Sequence, residues 1–436
     1  MKRRTYLTTT TATAVGLAFA GCMSDEADED DPGDVDGEDD DYEDEEDDTE
    51  ETETEQEEEE DEDDEATSDI FGTFDDFENL EPWMAFQDIG SVEADSDQYY
   101  EGSQCARLEP DEEEGQVRIR RSLDEPIDVR DAVPGLAVAS DERGMVRIQL
   151  QDEDGDYVEY SQQVMNDVSL TRVNFGLTRI RGDPDLSEIH VLQIIRWFGD
   201  DASGRMWVDD FHFVPNTDTG KVMLQFHGGY ESHYTEAMPI LREYDLPATT
   251  FVPTDRLRAD VAVQGDRLTY DQVGELADAG WTIGSQSAQG VHLGRVSSNE
   301  MESNVTNPID WLEEEGYEDG ARFFAYPGSE YTQESYDLVE ENYDLAFAGQ
   351  AESQGYAANP YLCSLVADPD PDEAVNLLEW TAQNGGITSL AFYELEDEGS
   401  IAAVEEAAAR LDQLVEQGDL EVITPQEMAD EYVYTD

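Results

Sequence analysis

The sequence predicts a multidomain protein in which an all-β sandwich precedes a barrel of alternating strands and helices. Three observations predict it. From Phe71 to about Pro215 short alternating apolar and polar runs are separated by Asp/Gly turns, with little helical periodicity. From Lys221 onward short apolar runs alternate with segments whose apolar residues recur at helical spacing. The 367 residues that follow Asp69 are also more than one ordinary core serves.

In the first half, Gln116–Arg120, Met145–Leu150 and Met206–Val214 read as strands, and Asp152–Asp156 as a turn. In the second, Val222–Phe226 reads as an apolar strand and Tyr234–Tyr244 as a helix. Ala248–Val252 is the next strand, Tyr270–Ala279 a helix and Trp281–Gly284 a strand. The series continues through Phe323–Tyr326, Leu345–Phe347, Leu390–Tyr393 and Leu420–Ile423, then a helix from Pro425. Repeated β-α units predict a parallel sheet closed, or nearly closed, into a barrel, with chemistry at the C-terminal strand ends. The chain divides into residues 1–22, 23–69, 70–216 and 220–436.

The first segment reads as an export signal. Lys2, Arg3 and Arg4 precede a run of small and apolar residues, Thr5 to Gly21, too short to span a bilayer permanently. Arg3-Arg4-Thr5-Tyr6-Leu7 resembles the twin-arginine export pattern, and Phe19-Ala20-Gly21-Cys22 resembles a lipobox whose cysteine accepts lipid. The resemblance implies a membrane anchor at Cys22 on the extracellular face; an ordinary cleaved signal with a chance cysteine is the alternative. In residues 23–69, 32 of 47 are Asp or Glu and none is Lys or Arg. Such a run cannot bury enough apolar surface to fold, and it reads as a disordered, extended acidic stalk.

The acidity continues beyond it. The chain has 110 acidic and 23 basic residues, a formal net charge of −87, and only Lys2 and Lys221 as lysines. Molar salt cuts the Debye length to about 3 Å and relieves that repulsion, so the composition is that of an extremely halophilic, archaeal protein. Nucleic acid is excluded as a partner, because the densest basic cluster is only Arg118, Arg120 and Arg121. Cys105 and Cys363 lie in different predicted domains and read as two buried thiols, with a disulfide as the alternative.

Phe74-Asp-Asp-Phe-Glu78 before Trp83, Tyr99-Tyr-Glu-Gly-Ser103 and the closing Trp207-Val-Asp-Asp-Phe211 resemble jelly-roll carbohydrate-binding modules. That resemblance implies a jelly-roll sandwich whose first and last strands lie together. It also implies a structural calcium on Glu78 and Asp210, with Trp83, Tyr99, Tyr100 and Trp197 as sugar-stacking or core residues.

Leu224-Gln-Phe-His-Gly-Gly-Tyr230, with Ala237–Leu241, Tyr244 and Pro247–Val252, resembles the opening of a polysaccharide deacetylase barrel. Gly280-Trp-Thr-Ile-Gly-Ser285 with Leu293, and Phe324-Ala-Tyr-Pro327, resemble its second and third motif regions. The resemblance implies hydrolysis of acetyl groups on glycans by a divalent metal, usually zinc, held by an aspartate and two histidines, with an aspartate base and a late histidine acid. The sequence departs from that pattern at each metal ligand. His227 stands at the base position, Gly228 at the metal aspartate, and Gln286 and Gly290 at the two metal histidines. Tyr393 or Glu394 stands at the late acid.

His227 and Tyr393 are therefore the catalytic positions, and Tyr230, Gln286, His292, Tyr326 and Pro327 the substrate-binding ones. A zinc site rebuilt from His227, His292 and Glu394 remains open. His233 reads as outward-facing, and Asn304-Val305-Thr306 as a possible glycosylation acceptor. Three functions follow: a glycan-binding pseudoenzyme, an active deacetylase with a site rearranged around His227, or a structural envelope protein.

Overall fold

The computed structural model describes residues 70–110, 115–199 and 204–435, so the signal, Cys22 and the acidic stalk lie outside the described residues. No helix among those described is long and apolar enough to cross a membrane.

The N-terminal region holds two six-stranded antiparallel sheets. One runs in the order Ser91–Asp95, Cys105–Glu109, Met206–Pro215, Ala132–Ser140 and Thr171–Val173, and Gly72–Asp75 also pairs with Met206–Pro215. The first and last strands of this region thus lie together. The other sheet runs Gly176–Arg181, Tyr157–Val164, Gly144–Gln151, Ile189–Trp197, Gln116–Ile127 and Trp83–Ala85. Alternation does what the sequence predicts: Val117 and Ile119 are buried while Arg118 and Arg120, which alternate with them, are partly exposed. Val138 and Phe213 of one sheet share a single apolar cluster with Ile148 and Ile194 of the other.

The C-terminal region is a near-closed barrel of nine strands, all paired in parallel. The order is Cys363–Ser364, Leu345–Gly349, Phe323–Ala325, Thr282–Ser285, Thr249–Val252, Gly220–His227, Ile387–Phe392 and Val366–Ala367, with Leu420–Val422 on Gly220–His227. The two ends of this series are separated by Leu365 alone, so the ring is completed through the chain itself. Every residue of Gly220–His227 is buried, as a parallel strand covered on both faces requires. Val222, Leu224 and Phe226 pack outward with helix residues such as Val273, Leu276 and Ala407. Met223 packs inward with Phe251 and Phe347. Gln225 and His227, two and four residues on, therefore point into the barrel at its C-terminal end.

Helix starts are strongly specified. Thr269–Gln272, Ser297–Glu300, Asp370–Glu373 and Thr424–Glu427 form reciprocal capping boxes. The segment expected as a helix from Tyr234 begins as a π turn, His233–Ala237, before the α-helix Met238–Glu243.

Sandwich and barrel pack as one compact unit. Buried amides join them. Asn174 Nδ2 donates to the carbonyls of Asn359 (2.7 Å) and Leu362 (3.1 Å), and Asn359 Nδ2 donates to the Arg172 carbonyl (2.8 Å). Gln162 Nε2 donates to Ser364 Oγ at 3.0 Å, and Gln162 Oε1 accepts from Gln350 N at 2.9 Å. Such satisfied internal polar groups fix one docking geometry. Cys105 and Cys363 are both free and buried.

The calcium expectation on Glu78 and Asp210 is not met by the geometry. The Glu78 carboxylate accepts from Ser103 N, Ser103 Oγ and Gln104 N. Asp210 is bound elsewhere, by Arg172 Nε at 2.6 Å and Thr73 Oγ1 at 2.6 Å, with His212 Nδ1 3.1 Å away. Burial alone would raise the Asp210 pKa, but hydrogen bonds from His212 and Arg172 outweigh it and hold it down to about 2. A guanidinium occupies the coordination the carboxylate would offer a cation. Trp83 is a core residue, its ring stacked on Phe77 and its N–H donating to Asp75. Trp197 and Tyr99 are exposed, and Tyr100 lies against Arg172. Asn304 is buried within a helix, bonded to Gln289 N and Glu300 O, which rules out a glycan on the folded protein.

Candidate functional site

The end of strand Gly220–His227 organises the barrel mouth. Gly228 (φ +97°) and Gly229 (φ +59°) turn the chain in conformations that side chains resist. Gly228 N donates to the Phe251 carbonyl at 3.0 Å, and the Gly229 carbonyl accepts from Leu268 N at 2.8 Å. This brings the loop that follows Thr249–Val252 across the mouth. Arg267 then lies with its guanidinium 3.6 Å above the Tyr230 ring, and its Nη1 donates to the Gly228 carbonyl at 2.7 Å.

A cavity of about 200 Å³ opens here, lined by Tyr230, Arg256, Arg267, Gln286, His292 and Tyr393, with Gly228, Gly290 and Pro327 also in its wall. A larger hollow of about 530 Å³ lies where strands begin, beside Pro247 and Trp281. The smaller one sits at the strand ends where barrel chemistry is built.

Five of the seven residues expected to act on or bind substrate line this cavity: Tyr230, Gln286, His292, Pro327 and Tyr393. Two do not. Tyr326 is wholly buried, packed on Phe324 and Tyr331, and burial raises its hydroxyl pKa well above the phenol range. It is a core residue. His227 is also wholly buried, below the cavity floor, its ring 5.1 Å from that of Phe251 and 5.4 Å from that of Tyr393. Its Nε2 bonds Gln225 Oε1 at 2.9 Å, and burial, with a further contribution from His233, pushes its pKa down to about 3. Inward alternation along the strand explains this: the residue that ends it is covered by the late-strand Tyr393.

His233, expected to face outward, is likewise buried. Its Nε2 donates to the Tyr393 carbonyl at 3.0 Å, and its Nδ1 faces Thr250 Oγ1 at 3.1 Å. It pins the late strand end from the first helical turn, and burial pushes its pKa down to about 3. Tyr393 itself is pushed up to about 12 by burial and the Asp368 charge, so its hydroxyl stays a donor. His292 Nδ1 lies 3.2 Å from Glu330, which also pairs with Arg143 of the sandwich at 3.0 Å.

The residues present do not fit the family's metal. Gly228 and Gly290 offer no side-chain ligand, and a Cβ on Gly228 would come within 2.4 Å of the Tyr230 ring and 3.0 Å of Arg267 Nη1. The room for a carboxylate is taken by the Tyr230–Arg267 stack. Among the described residues no group of three His, Cys, Asp or Glu is placed to hold a metal.

Arg256 and Arg267 escape a motif-based reading because no motif contains them. A signal exists: with Arg258 they place three of the chain's 23 basic residues within twelve positions of one predicted loop.

Residues 215–345 match the polysaccharide deacetylase family. The deacetylase match covers less than a third of the chain and stops before the strand Ile387–Phe392 that precedes Tyr393. No curated protein matches. Similar solved structures include the Streptococcus pyogenes deacetylase PplD in complex with acetate, at 22% identity over 33% of this chain, with TM-score 0.29. The chain spans 62% of that protein's length, less than two thirds. A family 4 carbohydrate esterase from Streptomyces lividans in complex with acetate is 16% identical over 48% of this chain and 94% of its own, with TM-score 0.34. One from Bacillus anthracis is 19% identical over 49% and 84%, with TM-score 0.34.

Proposed function

We propose that this protein is a glycan-binding member of the deacetylase-like barrels, exported and lipid-anchored at Cys22, in which metal-dependent deacetylation has been given up. The match of residues 215–345 supports a deacetylase-like, glycan-acting barrel. The observation that carries the loss of metal chemistry is the filled space at Gly228, where neither a ligand nor room for one is present. The open cavity at the strand ends, walled by Tyr230 and Tyr393, supports retained binding. The acidic surface supports a role in molar salt, and the jelly-roll resemblance supports the sandwich as a second carbohydrate-facing surface.

The test uses the purified chain at molar KCl. Zinc is quantified after dialysis, acetate release is followed from acetylated oligosaccharides, and binding is measured on a glycan array. Binding without stoichiometric zinc or acetate is the expected result. Stoichiometric zinc together with acetate release would overturn it in favour of the rearranged enzyme.

A further inference from the structure

The cavity has the opposite sign to its protein. The chain carries 110 acidic residues against 23 basic ones, yet the cavity lining contains Arg256, Arg267 and His292 and not one Asp or Glu. In a surface this acidic, a wall free of carboxylates needs a cause.

The two guanidiniums differ in how they are held. Arg267 is fixed by the Tyr230 ring and the Gly228 carbonyl, and Asp266 Oδ1 lies 3.5 Å from its Nε. Its position is preorganised, so little ordering entropy is lost when it takes a ligand. Arg256 is exposed and makes no ion pair among the described residues. Tyr393 and Gln286, whose side chains carry donor groups, complete the polar part of the wall. Arg267 Nη1 stands 3.0 Å from the place where a side-chain carbon on Gly228 would project. A fixed positive charge thus lies beside the position that the deacetylase pattern gives to a metal-binding carboxylate.

We propose that this cavity receives an oxyanion substituent of a glycan, a uronate carboxylate or a sulfate ester, with Arg256 and Arg267 as its counter-ions. The inference rests on the glycan-binding reading above and adds the ligand's charge. A neutral acetamido group has no use for a second guanidinium, whereas planar guanidinium forks match carboxylate and sulfate oxygens in pairs. Molar salt abolishes steering from a distance but screens contact pairs inside a cleft much less, so recognition falls to the cavity wall. Its volume, about 200 Å³, admits one such substituent or sugar ring and no buried chain.

Calorimetric titration at fixed molar KCl tests this with three tetrasaccharides: one bearing uronates, one sulfated without carboxylates, and one neutral. At least one anionic sugar is expected to bind about tenfold or more tightly than the neutral one, and comparing the two anionic arms identifies the source. Arg256→Gln should cut that affinity about tenfold, a larger factor than it costs the neutral sugar, with the melting temperature unchanged. Equal binding of neutral and anionic sugars, or an Arg256→Gln protein that binds the anionic sugar as wild type does, overturns the anion inference and leaves glycan binding standing. No binding of any sugar overturns both.

Discussion

Sandwich and barrel each place an arginine where a resemblance implied a cation, with opposite consequences. In the sandwich the carboxylate is kept: Asp210 sits on a register shift with φ +45°, and Arg172, Thr73 and His212 saturate it. In the barrel Gly228 stands where the resemblance placed a carboxylate, and Arg267 donates to the Gly228 carbonyl while lining the cavity. A buried arginine that finds its acid within the fold is structural. Arg267, partly buried and held by a ring and a carbonyl, has only the exposed Asp266 carboxylate, 3.5 Å from its Nε, and keeps its Nη side at the cavity wall.

The sharpest break of that comparison is Asp210→Ala. It strands the Arg172 guanidinium in a buried site, and unpairing a buried charge costs about 3–5 kcal/mol. Chemical unfolding at constant molar salt should show that loss, while Arg256→Gln stays within about 0.5 kcal/mol of wild type. If the two variants are equally stable, the distinction between a saturated and an available arginine fails.

Acid separates the regions next. His227 and His233 have folded pKa values near 3, below the roughly 6.5 of an unfolded histidine. Below pH 6.5 the unfolded chain takes up protons that the fold refuses. Their contribution is therefore complete above about 6.5 and falls as pH drops toward 3, by about 1 kcal/mol per pH unit each. Asp210, held near 2, contributes fully above about 3.9 and loses its contribution only as pH falls through 2. The stability difference between wild type and His233→Gln, followed from pH 8 to pH 4, should change across the upper window. A pH-independent difference would mean that His233 is not held neutral.

Restoring the missing carboxylate is the third test. Gly228→Asp puts a side chain against the Tyr230 ring at a positive φ, and such strain costs about 1–3 kcal/mol. The variant should be less stable and gain no stoichiometric zinc, read by unfolding and by metal analysis. A stable, zinc-loaded Gly228→Asp protein would show that the stack yields easily.

The strands were legible where the pattern is local. Alternation marks Gln116–Arg120, the start of the strand Gln116–Ile127, and the largely apolar Val222–Phe226 marks the middle of Gly220–His227. The two-residue strands Cys363–Ser364 and Val366–Ala367, which end the barrel series, are too short to leave a period. At the site, the depth of a side chain was not legible. Tyr230, Gln286 and His292 reach the cavity, whereas Tyr326 and His227 are covered by packing between residues far apart in sequence. The charge of the cavity was the least legible feature, because it arises when a loop carrying Arg256 and Arg267 crosses strand ends more than twenty residues away.

The smallest effect on stability tests the link between the two regions. Glu330 lies 3.0 Å from Arg143 of the sandwich, 3.2 Å from His292 on the cavity wall and 4.0 Å from Arg295. None of these side chains is buried, so Glu330→Gln should shift stability by no more than about 1 kcal/mol. Its effect on the cavity should be larger in kind. Removing that carboxylate leaves Arg143 and Arg295 without it and takes away a negative charge that competes with a bound anion. The anionic tetrasaccharide should then bind severalfold more tightly while the neutral one is unmoved. A weaker anionic complex would mean that Glu330 holds His292 in place for the ligand, and the sandwich would then be positioning the barrel's site through Arg143 rather than discharging it.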